Sequence, residues 1–297
     1  MVPATSRRSL LTALDVEHPE WRPLLAVIEE ALREAERPEW ARFVPTLAHS
    51  GLAGRPLLDG AVINVAPRLV RRWVRQILMV AAAAGTGVEP LAEAITQGWI
   101  DPLFLFETAV SQDVHRVDEL ARFGGDDRGV LRGLAPLIAR PMLQACRRTW
   151  ADRVPAGWAH GYCPICGGWP ALAEIRGLDG SRHLRCGWCG GDWRIGWLRC
   201  PFCGEDDHEK LGSLVSPDSL ERQTIEVCDG CRGYIKTVTT FTPIEPDHVV
   251  LQDLATLVLD VAALERDYRR PAAKGREVAV AVVAEPSRLR DLLGLRR

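Results

Sequence analysis

Four C-x-x-C pairs stand out in the chain: Cys163/Cys166, Cys186/Cys189, Cys200/Cys203 and Cys228/Cys231. A C-x-x-C turn puts two sulfurs on one side of a tight loop. Two such turns brought together offer four thiolates to one tetrahedral ion, with metal–sulfur bonds of about 2.3 Å. Four pairs predict two sites. Sequential pairing gives C-x2-C-x19-C-x2-C and then C-x2-C-x24-C-x2-C. The competing pairing joins Cys186/Cys189 to Cys200/Cys203 across ten residues, which is short for a ribbon built of two hairpins. We therefore expect the sequential scheme. Sulfur-only tetrahedra accept either metal, so the expected cofactors are two metal ions, iron or zinc, each bound by four cysteines.

A closed four-cysteine site is usually a structural staple, because no coordination position stays open for a substrate. Gly167, Gly190 and Gly204 each follow the second cysteine of a pair. A residue without Cβ lets the backbone turn back and point N–H groups at sulfur. The fourth pair has Arg232 there, followed by Gly233. The seven histidines show no metal-type spacing, and His160, His183 and His208 read as surface residues near the turns. The chain has no nucleophile elbow, phosphate loop or dinucleotide fingerprint, so we assign no catalytic residues and expect no enzyme. Cys163-Pro-Ile-Cys166 and Cys200-Pro-Phe-Cys203 are similar to rubredoxin turns, which leaves a redox or sulfur-relay role open.

These turns need elements to hold them. From Trp158 to about Pro246 the chain is rich in Gly, Cys and Trp. Short β-type runs lie beside the cysteine pairs: Ala171–Arg176, His183–Cys186, Trp193–Arg199, Leu211–Val215, Gln223–Val227 and Tyr234–Phe241. Trp158, Trp169, Trp188, Trp193 and Trp197 crowd the first site and read either as a hydrophobic binding face for a partner or, the preferred reading, as core for a small ribbon. The preceding residues are helical by apolar spacing, at Pro23–Glu36, Pro67–Ala84, Pro90–Ile100, Pro102–Arg122, Gly129–Ala139 and Pro141–Asp152. Residues 1–20 read as an arm and 44–66 as a loop. Arg68, Arg71, Arg72 and Arg75 line one helix face and read as solvated. Cys146 reads as a small buried thiol. His248–Tyr268 predicts one helix whose stripe of Val250, Leu254, Leu257, Val258, Val261, Leu264 and Tyr268 packs into a core.

The expected fold class is α+β: an N-terminal all-α helical bundle, two tandem rubredoxin-like or zinc-ribbon modules and a C-terminal helix. The expected boundaries are 1–157 for the helical domain, 158–199 and 200–246 for the two four-cysteine ribbons, 247–270 for the helix and 271–297 for a tail. Within that tail, Val278–Val283 reads as an accessory strand or a loose end.

At 297 residues, 47% of them apolar, the chain can bury a sizeable core. A formal charge of −2 gives no global attraction to polyanions. Between Cys163 and Asp247, nine Lys and Arg against thirteen Asp and Glu leave a charge of −4, which argues against a nucleic-acid-binding zinc ribbon. Eight paired cysteines in a long chain favour metal over disulfides. Ser6-Arg7-Arg8-Ser9-Leu10-Leu11 is similar to a twin-arginine export signal, but Asp15, Glu17 and His18 interrupt the apolar stretch that must follow. No membrane span is expected.

The cysteine region resembles the formate dehydrogenase accessory protein family (FdhE). The likeness runs from about Trp158 to Tyr268. It is carried by Gly161-Tyr162-Cys163-Pro164-Ile165-Cys166-Gly167 with Trp169-Pro170, and by Leu184-Arg185-Cys186 through Cys189 to Trp193. Arg199-Cys200 to Cys203 and Glu226-Val227-Cys228-Asp229-Gly230-Cys231 with Tyr234 and Lys236 continue it. Asp253-Leu254-Ala255 with Leu257-Val258-Leu259-Asp260 resembles the family's closing helix. The N-terminal helices match only in general character. The resemblance implies a cytoplasmic, chaperone-like maturation factor, with iron or zinc in rubredoxin-like sites. Its implied partner is the formate dehydrogenase catalytic subunit, met before export.

Overall fold

The computed structural model describes residues 6–49, 54–125, 129–215, 223–272 and 275–285. The helical half is built around α7 (Val130–Trp150), which is buried along most of its length. A helix apolar on nearly every side belongs at the centre of a bundle, and α2 (Arg22–Ala35), α5 (Pro102–Val110) and α6 (Val114–Phe123) pack on it. Pro136 and Pro141 lie inside α7. Each removes one backbone donor, yet the helix runs through both, because packing on all sides holds it. The expected division of this stretch at Ala139/Pro141 therefore does not occur.

Two further differences from expectation lie in the first half. Residues 7–17 are not an arm but helix α1 (Arg7–Glu17), capped by the Ser6 hydroxyl. Within the segment read as a loop, Ala61–Val65 forms β1, which pairs in parallel with β8 (Val280–Ala284). Of the two readings of Val278–Val283, the accessory strand is the one observed. The rest of the expected tail, 286–297, lies outside the described residues.

α3 (Pro67–Ala83) buries Val70, Trp73, Val74, Ile77, Leu78 and Ala81, the expected apolar face. Arg68, Arg71 and Arg75 face solvent, whereas Arg72 reaches the buried Glu34 carboxylate at 2.6 Å. The run Pro102–Arg122 breaks between α5 and α6, where Gln112 adopts φ +56°.

The cysteine half forms one six-stranded sheet. Its strands are β2 (Pro170–Arg176), β3 (Ser181–Cys186), β4 (Asp192–Arg194), β5 (Leu211–Leu214), β6 (Gln223–Cys228) and β7 (Gly233–Thr240), in spatial order β4-β3-β2-β7-β6-β5. Each module contributes three antiparallel strands in the same order. They join through a parallel pair, β2 with β7, running from Leu172 opposite Lys236 to Arg176 opposite Thr240. The second module is thus a sideways repeat of the first, and both cysteine groups sit at the same end of the sheet.

The core is continuous from the helical half into the first module, taking in Trp158, Cys163, Cys166, Cys186, Cys189 and Trp193. A smaller core joins the second module to α9 (Leu257–Leu264) through Ile225, Val227, Tyr234, Leu259, Ala263 and Tyr268. The expected single helix over His248–Tyr268 breaks at Thr256 into α8 (Val249–Ala255) and α9. Lys236 on β7 is fully buried and holds Asp260 of α9 at 2.7 Å and Asp253 of α8 at 2.8 Å. Arg270 reaches Asp253 at 2.7 Å, and Tyr234 donates to Asp260 at 2.7 Å. This cluster turns the Leu259, Asp260 and Ala263 side of α9 inward. Leu257, Val258, Val261 and Leu264, expected in a core, consequently face outward.

Candidate metal centres

The structure gathers the eight cysteines in the sequential pairing: Cys163, Cys166, Cys186 and Cys189 in one group, Cys200, Cys203, Cys228 and Cys231 in the other. Within each group all sulfurs lie within 4.8 Å of one another. In the first, Cys166 Sγ is 3.4 Å from Cys186 and 3.7 Å from Cys189, and Cys163 is 3.6 Å from Cys189. In the second, the Cys200–Cys231 and Cys203–Cys228 separations are both 3.7 Å. A tetrahedron with bonds of about 2.3 Å has edges of about 3.8 Å, whereas a disulfide needs about 2.0 Å. The donor set and its spacing fit one tetrahedral ion per group.

The turns supply the donors that such a site needs. Backbone N–H groups of Ile165, Trp188 and Gly191 point at Cys163, Cys186 and Cys189 at 3.3–3.4 Å. In the second group, the backbone N–H groups of Phe202, Glu205 and Gly233 favour the thiolate forms of Cys200, Cys203 and Cys231. These donors offset part of the charge of four thiolates. The turn that aims them requires a left-handed residue after the second cysteine: Gly167, Gly190 and Gly204 have φ of +77°, +71° and +81°. Arg232 takes the same conformation at φ +56°. Its guanidinium stacks over Tyr268 at 3.9 Å, bonds Asp229 at 2.9 Å and donates to the Arg266 carbonyl, so it fastens the fourth turn to the end of α9.

The two groups differ in their surroundings. The first is wholly buried, and the helical half grips its turns. Leu57 and Leu58 donate to the carbonyls of Pro164 and Ile165 at 2.8 and 2.9 Å. Gln112 donates to the Cys166 carbonyl at 2.7 Å, and Arg140 to the Gly187 carbonyl at 3.1 Å. In the second group Cys200 and Cys228 are buried while Cys203 and Cys231 are exposed. An aromatic contact links the groups: Phe202, inside the third turn, meets Trp169 edge-on at 5.3 Å. Gly161 sits so close to Pro201 that any Cβ there would overlap the Pro201 carbonyl.

Of the five tryptophans, Trp158 and Trp193 are buried, Trp169 and Trp188 half-buried, and Trp197 exposed. His160, His183 and His208 belong to neither sulfur group. Cys146 is buried in α7, and burial pushes its thiol far above the usual range. Gln112 and Arg140 escape a reading of the sequence alone. Nothing local marks Gln112. Arg140 has a signal, a lone charge following the apolar run Leu137-Ile138-Ala139.

No known family profile matches the chain. Individual proteins do. The Protein FdhE homolog of Aquifex aeolicus is 32% identical over 134 residues, which are 42% of this chain and 46% of that protein. Protein FdhE of Escherichia coli is 28% identical over 229 residues, 73% of this chain and 68% of that protein. The chain is similar to these FdhE proteins. The match thus spans about half of the Aquifex relative and about two thirds of the E. coli one. The crystal structure of the FdhE protein from Pseudomonas aeruginosa shares the fold, with a TM-score of 0.55 at 23% identity over 92% of this chain and 94% of that one. Among the described residues no helix is long and apolar enough to cross a membrane.

Proposed function

We propose that this protein is a non-enzymatic accessory factor for formate dehydrogenase. It binds the catalytic subunit in the cytoplasm before export or assembly, and it carries two metal ions, iron or zinc. Cys163, Cys166, Cys186 and Cys189 hold one ion; Cys200, Cys203, Cys228 and Cys231 hold the other. Its units are a helical domain at 1–157, ribbons at 158–199 and 200–246, a helical closure at 247–270 and a final segment at 271–297. The ions would draw each module's two turns together and fix the shape of the end of the sheet. The carrying observation is that a relative of FdhE proteins presents two tetrahedral sulfur groups at one end of a shared sheet. Capture of the apo catalytic subunit by the tagged, metal-loaded protein tests the reading. Retention is expected, and no association with or without metal overturns it.

One observation favours a second reading, a rubredoxin-like redox or sulfur-relay role at the second group: Cys203 and Cys231 are open to solvent. A ferric-thiolate absorption that bleaches on reduction supports it. A colourless protein holding two zinc ions supports the structural reading.

A further inference from the structure

Arg140 is the most conspicuous buried charge whose role the fold does not account for. It lies in the middle of α7 at 1% exposure. One of its N–H groups donates to the carbonyl of Gly187, the residue between Cys186 and Trp188 in the second turn. Its Nε and Nη1 have no hydrogen-bond partner, and it forms no ion pair among the described residues. The other fully buried cations contrast with it: Arg182 is paired with Glu226, Arg185 with Glu174, and Lys236 with Asp253 and Asp260. A buried charge without a counter-charge is strongly destabilising, because nothing replaces the water it has lost. An arginine retained in the centre of an apolar bundle therefore needs an anion nearby.

Two anionic groups face it: the first sulfur group, whose second turn it touches at the Gly187 carbonyl, and Asp247, which lies outside ion-pair range. Four thiolates around a divalent ion carry a net charge of −2, and the sulfur group, being wholly buried, cannot rely on water to screen it. We propose that Arg140 is the counter-charge of the Cys163/Cys166/Cys186/Cys189 centre. It reaches across from the helical half and holds the second turn by its Gly187 carbonyl. The second group has no buried cation of this kind among the described residues: Cys203 and Cys231 are exposed, Arg199 beside Gly204 is exposed, and Arg232 is engaged by Asp229 and Tyr268. Burial disfavours the guanidinium's charge, while Cys186, Asp247 and Cys189 favour it. Arg140 thus makes filling of the first centre and seating of α7 on the ribbon a single event.

The inference rests on the reading of the first group as a metal centre, and its test separates the two. The full chain is loaded with zinc, and retention of each equivalent against a chromophoric chelator is compared for wild type, Arg140→Lys, Arg140→Gln and Arg140→Met. Wild type binding fewer than two zinc ions per chain refutes the two-centre reading, and the counter-charge with it. Given two, one equivalent should be held about 10–100-fold more weakly in the Gln and Met variants, the usual scale for losing a group that supports metal ligands. Lys should stay close to wild type, and the other equivalent should not move. Unchanged retention in Gln overturns the proposal. So does a Lys variant as weak as Gln, since that ordering reports the shape of the side chain and not its charge. Should Met fail to fold, the Lys and Gln pair decides alone.

Discussion

Lys236→Met tests the cluster that closes the second module. Lys236 lies at 0% side-chain exposure between two carboxylates, Asp260 at 2.7 Å and Asp253 at 2.8 Å, and also donates to the Asp253 carbonyl. With Arg270 the cluster holds two cations and two anions. Removing Lys236 leaves two carboxylates sharing one arginine, and an uncompensated buried charge typically costs about 3–5 kcal/mol. Native stabilities are about 5–15 kcal/mol, so the loss is large. The small core between α9 and the second module has little else to hold it. We therefore expect α8 and α9 to detach before the rest of the fold. Hydrogen exchange of residues 249–264 in Lys236→Met should rise by at least about a hundredfold, the equivalent of about 3 kcal/mol, while α7 keeps its protection. Adding Asp260→Asn removes the uncompensated charge and should return much of the loss. A cost below about 1 kcal/mol, or no recovery in the double variant, refutes the reasoning.

Three other outcomes follow from the geometry. Zinc should leave in two phases under a chelator, because Cys203 and Cys231 are exposed while all four cysteines of the first group are buried; one indivisible phase contradicts this. Gly161→Ala forces a Cβ into the Pro201 carbonyl. Overpacking costs about 1–3 kcal/mol, and here the obstacle is backbone, so denaturant melts should show at least that loss. Burial opposes ionisation of Asp253, but Arg270 and Lys236 outweigh it and hold its carboxyl below the usual range. Its contribution is present above about pH 4 and lost as pH falls through the depressed value. The stability gap between wild type and Asp253→Asn should therefore narrow below about pH 4, and a gap independent of pH counts against the ion cluster.

The cysteine half is the most legible part of the sequence. Each of its six strands lies beside a C-x-x-C turn, and the turns announce where strands must end. Their joining into one sheet is not legible, because the β2–β7 pair involves residues with no local signal of each other. β1 is hidden for the same reason: Ala61–Val65 is apolar except at Asn64, with no alternation to mark a strand, it lies in Pro/Gly-rich surroundings, and its partner is β8. α7 reads as two helices because Pro141 ends an isolated helix, and only burial on every side overrides that. The stripe on α9 misleads because apolar spacing marks a face without saying which way it points. Asp260, drawn to Lys236, decides the direction. Tyr234, Lys236, Asp253 and Asp260, which carry part of the family likeness, are thereby explained as one structural clamp.

The pairing of β1 with β8 also orders events during synthesis. Ile63 lies opposite Val282, so the strand beside α3 waits for its neighbour until all of both sulfur modules has left the ribosome. Domains generally fold as they emerge, and long-range strand pairing comes late. Until residue 284 appears, Ala61, Ile63 and Val65 have no strand partner, whatever the state of the helices. Any truncation upstream of Val280 should therefore expose an unpaired apolar edge on the N-terminal half and yield an aggregation-prone product, even with both sulfur groups intact.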